Sequence, residues 1–344
     1  MVYRVVQWGT GAVGVEAIRG ILDHPQLALA GIKVYSDEKV GRDGGDLVGS
    51  DRIGITAAKH VDTADVDAVL YAPCHPDVDE AVEILASGAN LVTTAFAFHP
   101  ARMEPHDRDR LQQACVAGNS SLHGTGLNPG NLGAVVPIAL SGMSRRIEHV
   151  TVQERADWSV YESVEITFDQ MRFGSPLDEV SADTGGLKFI SELFQQQVWL
   201  LSDTLGLGVD EVSTDLETIP ASVDRDVCGR TLHAGTVAGQ HWRWTGRRDS
   251  KSVVEVETLW TVGERQPPHW PTPRHGWTVT IEGTPSMQAH LMTLASFRRD
   301  VPLAEHVRSA SVATAMQAVN VVPAVCEARP GFVTMADLPL KLFG

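Results

Sequence analysis

The residues of this chain that can do chemistry begin almost at its first position. Gly9-Thr10-Gly11-Ala12-Val13-Gly14 is a G-x-G-x-x-G turn. It follows the apolar, β-branched run Val2–Trp8 and leads into Val15–Leu22, which has helical spacing. Strand, glycine turn and helix is the context in which this motif binds a dinucleotide. Gly9 allows the tight turn, Gly11 lets a pyrophosphate reach the backbone, and Gly14 lets the helix pack on the strand. The helix N-terminus offers unpaired N–H groups to the phosphates, with Thr10, Ala12 and Val13 completing the set.

The second strand, Leu27–Tyr35, leads to the place where an adenosine ribose sits. An NAD fingerprint carries an acidic residue there, about 20 residues beyond the turn. Here the strand ends Val34-Tyr35-Ser36, and the first carboxylate is Asp37, with Lys33, Lys39 and Arg42 close by. A hydroxyl and cations suit a 2′-phosphate, so Ser36, Lys39 and Arg42 predict NADP over NAD. The alternative has Asp37 on the ribose, with Lys39 and Arg42 as solvated loop charges.

Ligands of an open α/β sheet lie at the C-terminal ends of its strands. That selects three further loops, Pro73–His75, Thr94–His99 and Gly124–Gly130, with Pro73, Thr94 and Asn128 as cofactor contacts. The Asn128 amide suits the nicotinamide carboxamide or the substrate; alternatively Asn128-Pro129-Gly130 is simply a turn. His123 and His75 also fall at strand ends, where an imidazole can donate a proton near neutral pH. With thirteen histidines in the chain, most serve no catalysis.

The segment Gln153–Glu162 holds Glu154, Asp157, Tyr161 and Glu162 close together. Strand alternation puts Glu154 and Arg155 on opposite faces. A buried carboxylate there can take a proton or bind an ammonium group, and Glu154 is the first choice; the alternative is a solvated face with a surface ion pair. Phe96, Phe98, Trp158 and Trp199 read as core or, alternatively, as walls of an apolar substrate pocket. The four cysteines, Cys74, Cys115, Cys228 and Cys326, are far apart and form no C-x-x-C pair. Neither a metal site nor a disulfide framework is indicated, and a reducing cytoplasm is the expected setting.

These residues need a frame. Strands at Asp65–Pro73, Asn90–Ala95 and Ser120–Gly126 alternate with helices at Asp77–Ser87 and Asp107–Ala117. The pattern predicts an α/β Rossmann domain, a doubly wound parallel sheet. After about Arg146 the chain alternates apolar and polar residues without intervening helices, at His149–Arg155, Thr231–Trp244, Val253–Val262 and Trp277–Glu282. One helical stretch, Gly186–Leu205, interrupts them, and Gln266–His275 is a proline-rich loop. This predicts an α+β second domain with a largely antiparallel sheet. A last helix, Arg308–Glu327, is broken by Pro330-Gly331 and is expected to return to the first domain. The expected domains are 1–146, completed by 305–344, for the dinucleotide, and 147–304 for substrate binding and dimerisation.

The chain has 344 residues, 43% hydrophobic and 21% charged, an ordinary globular composition. Its net charge of −15 argues against nucleic acid and anionic membranes as partners. Arg4 and Gln7 interrupt the first apolar run, so no signal peptide is expected. No apolar run approaches the ~20 residues that span a bilayer.

Five stretches in this order carry a family likeness: Gly9–Gly14, V-Y-S-D-E-K-V-G (Val34–Gly41), G-T-G-L-N-P-G (Gly124–Gly130), His233–Trp244, and A-V-N-V-V-P-A-V (Ala318–Val325). The chain resembles the dihydrodipicolinate reductase-like oxidoreductases, and more narrowly the native amine dehydrogenase and 2,4-diaminopentanoate dehydrogenase group. The resemblance implies a second domain whose sheet joins subunits into a homodimer, and NAD(P)-dependent chemistry at a C=N or C=O carbon. The expected activity is reductive amination of a small hydrophobic ketone or aldehyde with ammonia, and the reverse deamination. In this group a glutamate shortly after the fifth strand activates ammonia. Here that stretch reads T-T-A-F-A-F-H-P (Thr93–Pro100), with Ala95, Phe96 and Ala97 and no carboxylate before Glu104. The paired histidines and lysine of a true dihydrodipicolinate reductase are also missing. A carbonyl or imine reductase of the same fold, or a non-catalytic NADP-sensing protein, therefore stands as the alternative.

Overall fold

The structure, a computed structural model, describes residues 1–161 and 163–339. Glu162 and the last residues of the expected 305–344 segment, 340–344, lie outside the described residues.

The chain opens with β1 (Tyr3–Trp8), α1 (Ala12–Asp23), β2 (Leu27–Lys33), the short α2 (Gly44–Val48) and β3 (Ala57–Ala58). Then come β4 (Ala68–Tyr71), α3 (Val78–Ala86), β5 (Asn90–Thr93), α4 (Pro105–Gly118) and β6 (Ser121–Gly124). Capping sets the helix starts. The Asp77 side chain accepts from Asp79 N at the start of α3, and Glu104 accepts from His106 N at the start of α4. With Pro105 at the first helical position, where its missing N–H costs nothing, α4 begins earlier than Asp107.

Next are α5 (Val136–Ser141), β7 (Arg146–Asp157), α6 (Gly185–Leu205), β8 (Glu211–Pro220), β9 (Arg225–Val227), β10 (Arg230–Leu232) and β11 (Val237–Arg248). After β12 (Lys251–Thr261), β13 (Gly276–Thr284) and β14 (Met287–Leu291) the chain ends with α7 (Leu303–Cys326) and β15 (Gly331–Phe332). The expected strand Thr231–Trp244 is thus two strands. Thr231 belongs to the β9–β10 hairpin, and the His233–Thr236 turn, with Gly235 at φ +84°, breaks the run before β11. That φ suits glycine, which carries no Cβ to clash.

The chain divides into two compact units, 1–131 with 294–344, and 132–293. The first contains a seven-stranded sheet in the order β15-β6-β5-β4-β1-β2-β3, and every pairing in it is parallel. The expected doubly wound sheet is therefore observed. The strand order reverses at the β4–β1 neighbour pair, the topological switch point at which such sheets bind ligands. The glycine turn sits there. Helix α7 is long and apolar enough, by length and composition alone, to cross a bilayer (mean hydropathy 1.3). The sequence expectation of no such run is corrected here. Its inner half is a core helix: Ala315, Ala318, Val319, Val321, Val322 and Val325 are buried in one cluster with Val5, Ala17, Ile21 and Val92.

The second unit carries a six-stranded sheet in the order β14-β13-β7-β12-β11-β8. Only β7 and β12 run parallel; the other pairs are antiparallel. One face, with Val150 and Val152 of β7, Trp242 and Trp244 of β11 and Val254 and Val256 of β12, is buried with Phe194, Val198 and Leu201 of α6. The indoles of Trp242 and Trp244 stack at 5.2 Å, and Phe194 stacks on Trp244 at 4.4 Å. The opposite face is largely polar, with Gln153, Glu257 and His241 joined in one network. Burial works to raise the Glu257 carboxyl, but hydrogen bonds from His241 and Gln153 outweigh it and hold it below the ordinary range.

Candidate active site

The glycine turn is shaped by what its neighbours leave no room for. Gly9 has φ +90°, and a Cβ on it would lie 2.7 Å from Ala72 O. A Cβ on Gly14 would lie 2.1 Å from Gly9 O, so only glycine lets α1 start this close to β1. Gln7, a polar residue inside an apolar strand, explains its place here: buried, it donates from Nε2 to Gly9 O at 2.9 Å and braces the turn.

Gly11 is different. A Cβ there would meet nothing within 4 Å, and Gly11 and Ala12 are exposed where most of the surrounding turn is buried. Gly11 is also the N-cap of α1, and the helix has no capping side chain and no acidic residue in its first turn. The N–H groups of Ala12, Val13 and Gly14 and the positive end of the helix dipole are left for something outside. Open space over Gly11 at an uncapped helix start fits a pyrophosphate.

The loop after β2 bends back onto this turn. Lys39 Nζ donates to Thr10 O at 2.8 Å and to Thr10 Oγ1 at 3.3 Å, bringing together two residues that the sequence placed in separate parts of the cofactor site. Ser36 is exposed and starts the single turn Asp37–Lys39. Arg42 is exposed and donates to Asp46 O at 3.3 Å. Asp37, the alternative ribose ligand, is 88% exposed and pairs with Lys59. Lys33 is committed elsewhere: its ammonium pairs with Glu80 at 3.2 Å.

Pro73 is buried beside the Gly9 turn, where its N would lie 3.2 Å from a Cβ on Gly9. Thr94 N donates to Tyr71 O, which ties the end of β5 to β4. In the loop that follows, Phe96 is 4% and Phe98 is 3% exposed, and Phe96 packs edge-on to Tyr71 at 6.1 Å. Their core alternative describes them. Ala97 between them has φ +60°, a left-handed conformation uncommon for a side chain with a Cβ, and its carbonyl oxygen would lie 2.1 Å from a Cβ on Gly124. Asn128, Pro129 and Gly130 depart from helical backbone, and the Asn128–Pro129 bond is cis. The tripeptide is the expected turn, and it presents Asn128 half-buried at the end of β6.

His123 does not fit the proton-donor role expected of it. It is 0% exposed on β6, and its Nδ1 lies 2.8 Å from Val333 O. Burial pushes its pKa down to about 4, so it stays neutral at physiological pH and reaches no solvent. His123 is a structural histidine that ties β6 to the chain after β15.

In the second unit Glu154 lies on β7, 9% exposed, on the same sheet face as Val150 and Val152. Trp260 Nε1 donates to its Oε1 at 2.8 Å, and Trp277 Nε1 donates to its Oε2 at 2.9 Å. Register explains the pair: Glu154 is opposite Thr258 on β12 and Trp277 on β13. Arg155 takes the other face and donates to Pro273 O. Asp157 is spent as a cap, accepting from Ser159 N and Gly263 N. Trp158 packs 4.6 Å from Tyr161, 5.6 Å from Phe173 and 5.5 Å from Trp260, and Trp199 packs half-buried against the same core. A buried carboxylate with an indole N–H on each oxygen can pair with a cation.

The sequence profile of the 2,4-diaminopentanoate dehydrogenase C-terminal domain matches residues 134–342. An amine dehydrogenase of Streptomyces virginiae is 27% identical over 98% of this chain and 96% of its own length. A 2,4-diaminopentanoate dehydrogenase of Acetoanaerobium sticklandii is 21% identical over 76% of this chain and 68% of its own. The solved amine dehydrogenase of Mycobacterium smegmatis superposes with a TM-score of 0.76 at 23% identity, covering 99% of this chain and 97% of that one.

Proposed function

The chain belongs to the family of the 2,4-diaminopentanoate dehydrogenase C-terminal domain and is an oxidoreductase of the amine dehydrogenase group, and from that premise we propose that it interconverts small hydrophobic ketones or aldehydes with their amines, using ammonia and NADP(H). When bound, the nicotinamide supplies or accepts the hydride at the reacting carbon. The rest falls to the protein. Gly11, Ala12, Val13 and Gly14 hold the pyrophosphate with Thr10, and Pro73, Thr94 and Asn128 line the strand ends beside it. Ser36, Lys39 and Arg42 favour the 2′-phosphate, because no carboxylate ends β2. Condensation of ketone and ammonia releases water and requires protons to move. Glu154 pairs with the ammonium group, takes one N–H proton from it to release ammonia for attack on the carbonyl carbon, and returns that proton to the carbinolamine oxygen as it leaves as water; the observation that carries this role is its burial between two indole donors. The Asn128 amide orients the reacting group. The reading places the protein in the cytoplasm, as a dimer joined through the polar face of the second unit's sheet. Light scattering at micromolar concentration is expected to give twice the chain mass; a monomer would contradict the dimer.

The deciding experiment follows NADPH oxidation with cyclohexanone, with and without ammonium. Turnover only with ammonium supports amination. One observation favours the second reading, carbonyl reduction to an alcohol: Ala95–Ala97 carries no carboxylate, and its one large side chain, Phe96, is buried. Turnover independent of ammonium would select it.

A further inference from the structure

Three strand ends at the ligand edge of the parallel sheet meet on one carboxylate. Glu80, in the first turn of α3, accepts from Tyr35 OH at 2.6 Å, Tyr71 OH at 2.9 Å, Lys33 Nζ at 3.2 Å and Trp8 Nε1 at 3.3 Å. Trp8 ends β1 one residue before the glycine turn, Lys33 ends β2, Tyr71 ends β4, and Tyr35 lies two residues beyond β2. Burial works to raise the Glu80 carboxyl, and hydrogen bonds from Tyr35, Tyr71 and Lys33 override it, so the group stays ionised.

The consequence falls on Tyr35. Its hydroxyl is fixed, and the Lys33 ammonium lies over its ring, 4.7 Å from the centroid. The same ammonium lies 4.9 Å from the Trp8 ring. Yet Tyr35 is 48% exposed. A large aromatic side chain held this firmly but left half in water spends rotamer freedom on folding without the return of full burial. It stands where the adenosine of a dinucleotide passes over the end of the second strand. A cation against one face draws electron density from the ring and suits the other face to an electron-rich base.

We infer that Tyr35 is the stacking platform for the adenine ring of the cofactor, held in place by Glu80 and Lys33. The inference rests on the dinucleotide reading above and adds a binding residue to it. Base-on-aromatic stacking lost by alanine substitution corresponds to roughly 5- to 150-fold in affinity.

Calorimetric titration of the wild type, Tyr35→Ala and Tyr35→Phe with NADPH, ADP-ribose and reduced nicotinamide mononucleotide tests it. Tyr35→Ala is expected to weaken NADPH and ADP-ribose by about tenfold or more and leave the mononucleotide unchanged. Tyr35→Phe, which keeps the ring, should restore most of the loss. If Tyr35→Ala binds ADP-ribose as the wild type does, or loses the mononucleotide equally, the platform is overturned while the dinucleotide site stands. Wild-type protein that binds neither NADPH nor NADH would overturn both.

Discussion

Replacing Glu154 by Gln keeps its shape and removes its charge, and the structure sets the size of the effect. Each carboxylate oxygen receives one indole N–H, at 2.8 and 2.9 Å. Glutamine has one oxygen, so one charge-assisted bond becomes a neutral one and the other indole faces an amide N–H. A buried donor left without an acceptor costs about 1–3 kcal/mol, and the lost charge assistance about 1 kcal/mol more. The expected total is about 2–4 kcal/mol. Spread over a unit of this size, about 160 residues, that lowers Tm by roughly 5–15 °C. The chemical effect is larger. A positioned acid–base group contributes ~10²–10⁴-fold in rate, so kcat for amination, measured well below the variant's Tm, should fall at least about 100-fold. NADPH affinity should stay within about twofold, because the groups assigned to the cofactor belong to the other unit and none of them is removed. The assay is NADPH oxidation with ketone and ammonium, alongside thermal denaturation and cofactor titration of the same preparation. A variant with lowered Tm and normal kcat would refute the reasoning: Glu154 would then be a strut between β12 and β13, and the polar group at the reacting carbon would be sought at Asn128.

Gly11→Ala should fold like the wild type, since its Cβ enters open space, yet bind NADPH at least about tenfold more weakly; Gly14→Ala, with its Cβ 2.1 Å from Gly9 O, should lose about 3 kcal/mol of stability in urea denaturation. Lys39→Ala and Arg42→Ala should each narrow the preference for NADPH over NADH in fluorescence titrations; tighter NADH binding by the wild type would move the ribose contact to Asp37. His123 gives a pH signature. Its pKa is depressed from 6.5 to about 4 in the folded state, so as pH falls from about 6.5 the unfolded chain takes up the proton first and stability drops. The stability is fully present above pH 6.5, and its loss reaches about 3 kcal/mol by pH 4 and is complete below it. Denaturation of the wild type and His123→Leu across this range should differ by that slope, and parallel curves would contradict it.

The sequence alone determined the parts whose signal is local. A glycine turn between a β-branched strand and an amphipathic helix has one low-energy geometry, so the distinct tasks of Gly9, Gly11 and Gly14 follow from their spacing. Alternation of strands and helices fixed the parallel sheet, and period-two runs after Arg146 fixed the mostly antiparallel one, because side-chain periodicity follows from backbone geometry. Starts and ends shifted where a cap acts from outside the periodic run, as Glu104 and Pro105 do for α4. What depended on residues far apart in the chain was settled only by tertiary structure. His123 and Glu154 look alike in sequence as polar residues in apolar strands. Packing made one a neutral tie under β15 and the other a carboxylate between the indoles of Trp260 and Trp277. Likewise Lys33, Lys39 and Arg42 were three equivalent cations beside a loop. The fold paired Lys33 with Glu80, 47 positions away, laid Lys39 on Thr10, and left Arg42 at the surface. A charge's function depends on its partners and its access to water, and neither is a property of the spacing along the chain.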